Sequence, residues 1–130
     1  MPIYEPGRRV AIIAGVRTPF AKSGTQLKSL SAIELGKIAV SELVHRTDLD
    51  PASIDLLTFG TVLPSVLAPN IAREIALMPL LPKRLDAYSV SRACASANQA
   101  ITNAADQIAL GHATVAIAGP IHVHSLGPGK

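Results

Sequence analysis

The sequence predicts an α/β fold in which a mainly parallel sheet is interleaved with helices in the order βαβαβαβ. Three observations predict it. Short apolar runs with few polar interruptions recur at 9–16, 54–62, 87–91 and 113–119, a pattern that suits strands covered on both faces. The stretches between them carry helix-start signals or apolar residues at helical spacing. The apolar content is almost all Ala, Val, Ile and Leu, with aromatics at 3% and no Trp, which suits helices packed closely on a sheet.

Taken in order, RVAIIAGV at 9–16 is the first expected strand, followed by a loop over 17–29 that contains Pro19 and Gly24. The first helix opens at Ser31. Ser31 and Glu34 have capping-box spacing, and Leu30 and Leu35 stand at the staple positions. Leu35, Ile38, Ala39 and Leu43 then share one face, and the helix is expected to fade near Thr47. IDLLTFGTV at 54–62 is a second buried strand, bounded by Pro51 and Pro64. Asn70 opens a short helix with Ile71, Ile75 and Met78 on one face, and PLLPKRLD connects it to a third strand at 87–91. A third helix is expected over 94–110, ended by Gly111, and a fourth strand over 113–119. Residues 1–119 therefore read as one domain. Residues 120–130, with two Pro, two Gly and two His, read as a divergent tail.

The 130 residues suffice for one domain with a modest core, and 48% hydrophobic content calls for a folded interior. A net charge of +3, from twelve basic and nine acidic residues, is a mild and scattered excess. With so few aromatics for base stacking, it argues against a nucleic-acid partner. One cysteine excludes an internal disulfide and a zinc ribbon. The N-terminus lacks a signal-peptide pattern, and no apolar stretch approaches the roughly 20 residues needed to span a bilayer. A free thiol suits a reducing compartment, so a cytoplasmic location is expected. His122 and His124 share one face if their segment is extended, but no third ligand stands near, and a solvated tail is the simpler account. No metal site is expected.

The one cysteine, Cys94, lies where the third strand gives way to the third helix. A thiol there faces unpaired backbone N–H groups and the positive end of the helix dipole. The same N–H groups can hold an oxyanion when a thiolate attacks a carbonyl, which makes acyl transfer through a thioester the natural chemistry. A lone cysteine is also commonly a buried structural residue, and position alone leaves both readings open. Arg92 either adds positive potential beside the thiol or pairs with Asp86 or Asp106. Ala95, Ala97, Ala100, Ala104, Ala105 and Ala109 point several ways around the helix, so elements can approach it from more than one side.

VSRACASANQAI at 90–101 resembles the nucleophile segment of the thiolase family. Val90 and Ser91 stand before Cys94, small residues follow at 95–97, then Gln99, Ala100 and Ile101, with Ile108 further on. VAIIAGVRTPFAKSGT is similar to that family's first strand and Arg-Thr-Pro-Phe loop, and APNIAREI at 68–75 to its Asn-x-Ala-Arg segment. The combination is most similar to the trifunctional β-subunit type of fatty-acid thiolase and covers residues 8–119. The resemblance implies the N-terminal half of a thiolase fold. It also implies cleavage of a 3-ketoacyl-CoA by CoA, or the reverse condensation, with Cys94 carrying the acyl group. Coenzyme A thioesters would be substrates, with no bound cofactor. A homo-oligomer is implied, with Tyr88–Ser91 at the matching interface edge, or else a complementing thiolase half. The ketoacyl synthases share the fold but differ around the cysteine.

A whole thiolase is much longer. Its Gly-His-Pro histidine, second cysteine, Asn-Glu-Ala-Phe segment and CoA-holding loop domain have no counterpart in these residues. His45 and His112 match no catalytic position of the family. Where the family continues with Gly-Gly, this chain has Gly119-Pro120-Ile121-His122. The chain is accordingly expected to be incompetent alone. The alternatives are a non-catalytic, thiolase-derived module that oligomerises or associates with acyl-CoA, and an unrelated α/β domain with a structural cysteine.

Overall fold

The computed structural model describes residues 9–121. In chain order these form α1 (Ala32–Thr47), a 3-10 turn (Pro51–Ser53), β1 (Leu56–Thr61), α2 (Ile71–Ala76), β2 (Asp86–Val90), α3 (Ser96–Ala109) and β3 (Ala116–Ile121). The three strands make one sheet in the order β2-β1-β3. Both pairings are parallel, with Leu57 opposite Ala87 on one side and Ile117 on the other. The expected α/β class with a parallel sheet is what the chain forms. Its central strand is β1, whose six residues are all buried.

The side chains of β1 alternate between two layers, as strand geometry requires. Leu57 and Phe59 join Val40 and Val44 of α1, Ile71 and Ile75 of α2, and Ile117 and Ile121 of β3 in the larger core. Leu56 packs with Ala104 of α3 and Ala113, flanked by Tyr88 and Ile108, in a smaller one. The sheet is therefore covered by α1 and α2 on one face and by α3 on the other.

α1 starts where the capping signal places it. Glu34 N–H donates to Ser31 Oγ at 3.2 Å, and Ser31 N–H donates to Glu34 Oε2 at 2.7 Å. These bonds to Ser31 hold the Glu34 carboxyl below its usual range. The buried face differs from the expected one: it is Gly36, Val40 and Val44, and Ile38 is 51% exposed. Gly36 is the reason. A Cβ there would run into Ile75 Cδ1 and come within 2.7 Å of Ile121 Cδ1, so the one residue without a side chain sets how closely α1 sits on α2 and β3. A pattern built on large apolar residues passes over it.

The expected strands 54–62 and 87–91 form as Leu56–Thr61 and Asp86–Val90, and the other two differ more. Residues 9–16 form no strand. A strand needs a neighbour to satisfy its backbone, and among the described residues nothing pairs with this run; Ile13 is 91% exposed. Four expected strands are thus three. The last strand, expected over 113–119, runs over Ala116–Ile121 instead. Its start is delayed because Thr114 and Val115 donate their N–H groups to Asp55 Oδ2, at 2.8 and 3.2 Å. Its end includes Pro120, which a sheet accepts in an edge strand. Pro120 and Ile121, the first residues of the expected 120–130 tail, thus belong to β3; the rest of it, with His122 and His124, lies outside the described residues, as do residues 1–8.

Asp55 ties the start of the sheet together. Its N–H donates to Val115 O and its carbonyl accepts from Asp86 N–H, so its backbone reaches toward both neighbouring strands. The two backbone N–H donors, at Thr114 and then Val115, hold its carboxyl below the usual range, with Arg84 adding to them. A carboxyl depressed on folding stabilises the fold above its unfolded pKa of about 4 and loses that contribution as pH falls through the lower folded value. Asp55→Asn should therefore lower the urea midpoint at neutral pH, with the gap to wild type closing as pH falls below about 4; a gap constant with pH would remove the charge from the account. Gly36→Ala should cost about 1–3 kcal/mol by overpacking against two flexible isoleucine ends, measurable by the same urea titration.

Candidate active site

β2 leads into α3 through the turn Ser91–Ala95, and Cys94 lies in it. The helix begins at Ser96, two residues later than expected, so the cysteine precedes the first turn of α3. Ala93 explains the delay. Its φ of 46° is left-handed, a conformation that costs a residue with a Cβ roughly 1 kcal/mol or more. A sharp, strained strand-to-helix turn of this kind raises a nucleophile above a sheet.

Hydrogen bonds close the turn. Ala95 N–H donates to Arg92 O at 3.0 Å and Ser96 N–H to Ala93 O at 3.1 Å. The Ser96 hydroxyl accepts from Arg92 N–H at 2.8 Å and donates to Ala93 O at 2.7 Å. Ser96 is 2% exposed, while Cys94 is exposed. The buried-cysteine reading is thereby overturned. Among the described residues no side chain caps the N-terminus of α3; the N–H groups of Ala95 and Ser96 are taken by the carbonyls of the turn, and Cys94 stands just before the positive end of a fourteen-residue helix.

Gly60 lets the helix come that close. A Cβ on Gly60 would strike the backbone carbonyl of Ser96 and stand 2.8 Å from Ala97 N. The first turn of α3 therefore rests on the main chain of β1. An isolated glycine inside a strand pattern is the signal that could have found this contact. Ser96 had no comparable signal beyond being a small polar residue at a helix start.

Arg92 pairs with neither Asp86 nor Asp106. Its Nη1 donates to Gln99 Oε1 at 2.7 Å, and Gln99 Nε2 donates to Asn103 Oδ1 at 2.7 Å, a polar ladder running along α3 from the turn. The alanine-rich helix is covered on one side only among the described residues: Ala100 and Ala104 are buried and Ile101 is 42% exposed.

Asn70 and Arg73, from the segment that opens α2, act on β2. Asn70 Nδ2 donates to Ala87 O at 3.1 Å, its Oδ1 accepts from Ser89 Oγ at 3.1 Å, and Arg73 Nη1 donates to Leu85 O at 3.0 Å. Ala72 N–H donates to Ser89 Oγ at 3.1 Å. These bonds fasten α2 to the outer edge of the strand that leads into the turn. His45 lies near Ser41 on α1, and His112 near Gln107. Among the described residues no group of His, Cys, Asp and Glu could hold a metal ion, and no helix is long and apolar enough to cross a membrane. An open depression beside α1 is lined by Lys37, Ile38, Ser41, Glu42, His45 and Met78, so it does not include the turn.

Fold and turn together define a parallel α/β domain that presents an exposed thiol at the head of a helix packed directly on the central strand. The thiolase N-terminal domain profile matches residues 10–122, and the chain belongs to the thiolase family. It is 51% identical over 122 residues to the 3-ketoacyl-CoA thiolase of Colwellia psychrerythraea, covering 94% of this chain and 28% of that protein. With the 3-ketoacyl-CoA thiolase of Serratia proteamaculans it shares 51% over 126 residues, or 97% and 29% of the two chains. Among solved structures, acetyl-CoA acetyltransferase of Bacillus anthracis superposes with a TM-score of 0.76 at 33% identity, covering 82% of this chain and 27% of that one. A thiolase of Ascaris suum in complex with coenzyme A gives 0.71 at 35%, covering 75% and 26%. The chain thus spans less than a third of the length of these relatives, and the structure is a partial thiolase fold.

Since Cys94 is the only cysteine and is exposed, iodoacetamide should convert the native chain to a single adduct without denaturant. Labelling that needs urea would contradict the exposed turn. Gly60→Ala should lower the urea midpoint by more than Gly36→Ala does, because at Gly60 the obstruction is backbone and cannot swing aside.

Proposed function

We propose that this chain is the nucleophile-bearing part of a 3-ketoacyl-CoA thiolase, with Cys94 as the residue that carries the acyl group. The observation that carries the proposal is the exposed thiol on a strained turn, at the uncapped head of α3, within a sequence about half identical to enzymes of that name. The Cys94 sulfur attacks the 3-keto carbonyl and a carbon–sulfur bond forms. The bond between the second and third acyl carbons breaks, and acetyl-CoA leaves after its carbanion takes a proton. The shortened acyl group on Cys94 then passes to the thiol of a second CoA, which gives up its proton, and the cysteine is regenerated. The chain's own contribution is the thiol, the turn that holds it and the positive helix end that favours developing negative charge. The acids and bases that move the two protons are proposed to come from parts of a whole thiolase beyond these 130 residues.

A family name of 3-ketoacyl-CoA thiolase in the relatives, and coenzyme A in one solved neighbour, support CoA thioesters as substrates. They leave fatty-acid breakdown and a cytoplasmic setting as part of the same proposal. Self-association, or docking with a complementing thiolase half, follows from the exposed apolar residues. Leu63, Val66 and Leu67 in the loop after β1 are 66, 96 and 92% exposed, and large apolar side chains in one loop gain by burial against another surface.

A chimera tests the proposal. Residues 10–121 of this chain, placed into the Colwellia enzyme in exchange for the matching segment, should give thiolysis of acetoacetyl-CoA. Cys94→Ala in that chimera should lower kcat by roughly a thousandfold or more. A folded, oligomeric chimera without activity, or one indifferent to Cys94→Ala, would overturn it. The chain by itself should show thiolysis near background, and turnover at the chimera's rate would show that no further residues are required.

A further inference from the structure

Ser96 does more in this turn than occupy the first helical position. Among the described residues its hydroxyl is the one side chain that joins the residue before the strained position to the strained residue itself, accepting from Arg92 N–H and donating to Ala93 O. It does so from a buried place, 2% exposed, under a turn whose other members, Ser91 to Ala95, are exposed. Exposed residues do not hold a left-handed alanine by packing, so the constraint must come from below. From below, Gly60 leaves the Ser96 backbone seated on β1, which fixes where the hydroxyl stands.

We infer that Ser96 is a positioning residue for acyl transfer: its buried hydroxyl clamps Arg92 and Ala93 so that Cys94 is held at the head of α3. The inference rests on the thiolase reading of Cys94 and deepens it. Removing the clamp lets Ala93 return to an ordinary conformation and the thiol move with it. The thiol would remain exposed and alkylable, but would lose its fixed relation to the N–H groups at the helix head, and with it the advantage in attacking a carbonyl.

Two small electrophiles separate these effects in the chain as it stands. In p-nitrophenyl acetate the Cys94 sulfur bonds to the acetyl carbon and p-nitrophenolate leaves, so the step develops an oxyanion. With iodoacetamide the sulfur displaces iodide and no oxyanion forms. The ratio of the two rates cancels changes in thiol ionisation and exposure, which a merely structural role would alter for both reagents. The native wild-type ratio is expected to exceed that of the same chain in urea by roughly tenfold or more, to fall by about that factor in Ser96→Ala, and to return in Ser96→Thr. A raised wild-type ratio that survives Ser96→Ala overturns the role of Ser96 and leaves the acyl-transfer reading standing. A native ratio no higher than in urea overturns the acyl-transfer reading itself, and the clamp with it. If circular dichroism shows that Ser96→Ala does not fold, amide exchange in the wild type decides. The Arg92 N–H, on an exposed residue, should be protected from exchange by the Ser96 hydroxyl, and an unprotected Arg92 amide would overturn the clamp.

Discussion

The contact between Gly60 and the first turn of α3 is the constraint on which the site depends. A helix normally rests on a sheet through side chains, at a distance those side chains set. Here the main chain of β1 meets the main chain of α3 at Ser96 and Ala97. That approach brings the head of α3 down to the sheet, and the chain leaving β2 has only the turn from Ser91 to Ala95 in which to reach it. The left-handed Ala93 is the local consequence of so short a climb. The exposed position of Cys94 is another. Gly36 plays the matching part on the opposite face, where its missing side chain admits Ile75 and Ile121. Each face of the sheet is thus brought close by a single glycine.

β1 lies between the two faces on which these contacts are made. It is buried along its whole length, pairs on both edges and divides its side chains between two cores. Asp55 fixes its start by taking two N–H groups from the chain entering β3. Asn70 and Arg73 fix the outer edge of β2 from the other direction. The turn carrying Cys94 therefore follows a strand held at both edges, which makes the geometry of the turn reproducible.

Much of this was legible in the residues, and the failures have physical causes. The capping box at Ser31 and Glu34, the Asn70 helix start and the β1 run are local signals, and the fold uses them as written. Cys94 was legible as a thiol at a strand-to-helix junction, and its neighbours carried the family resemblance. What the residues did not disclose were contacts made through an absence or across distance. Glycines have no apolar side chain to count, so a pattern of large apolar residues puts the buried face of α1 one residue away from Gly36. The delay of β3 came from Asp55, sixty residues earlier in the chain. The run at 9–16 had the composition of a strand but has no partner among the described residues, and composition cannot supply one.

The order of the sheet also bears on how the chain is made. β1 is central, yet both of its neighbours are synthesised after it, and the β3 partner of its first residues comes sixty positions later. A growing chain would carry the most deeply buried strand of the sheet unpaired until β2 and β3 had emerged. Parallel pairing across such separations is slow to form and exposes sticky edges meanwhile. During synthesis, α1, α2 and the core residues of the connector after α2, such as Met78, Leu81 and Leu85, are available to shelter that strand before β2 emerges. The amphipathic helices that flank β1 in sequence would then serve the nascent chain as a temporary cover before they serve the finished domain as a layer.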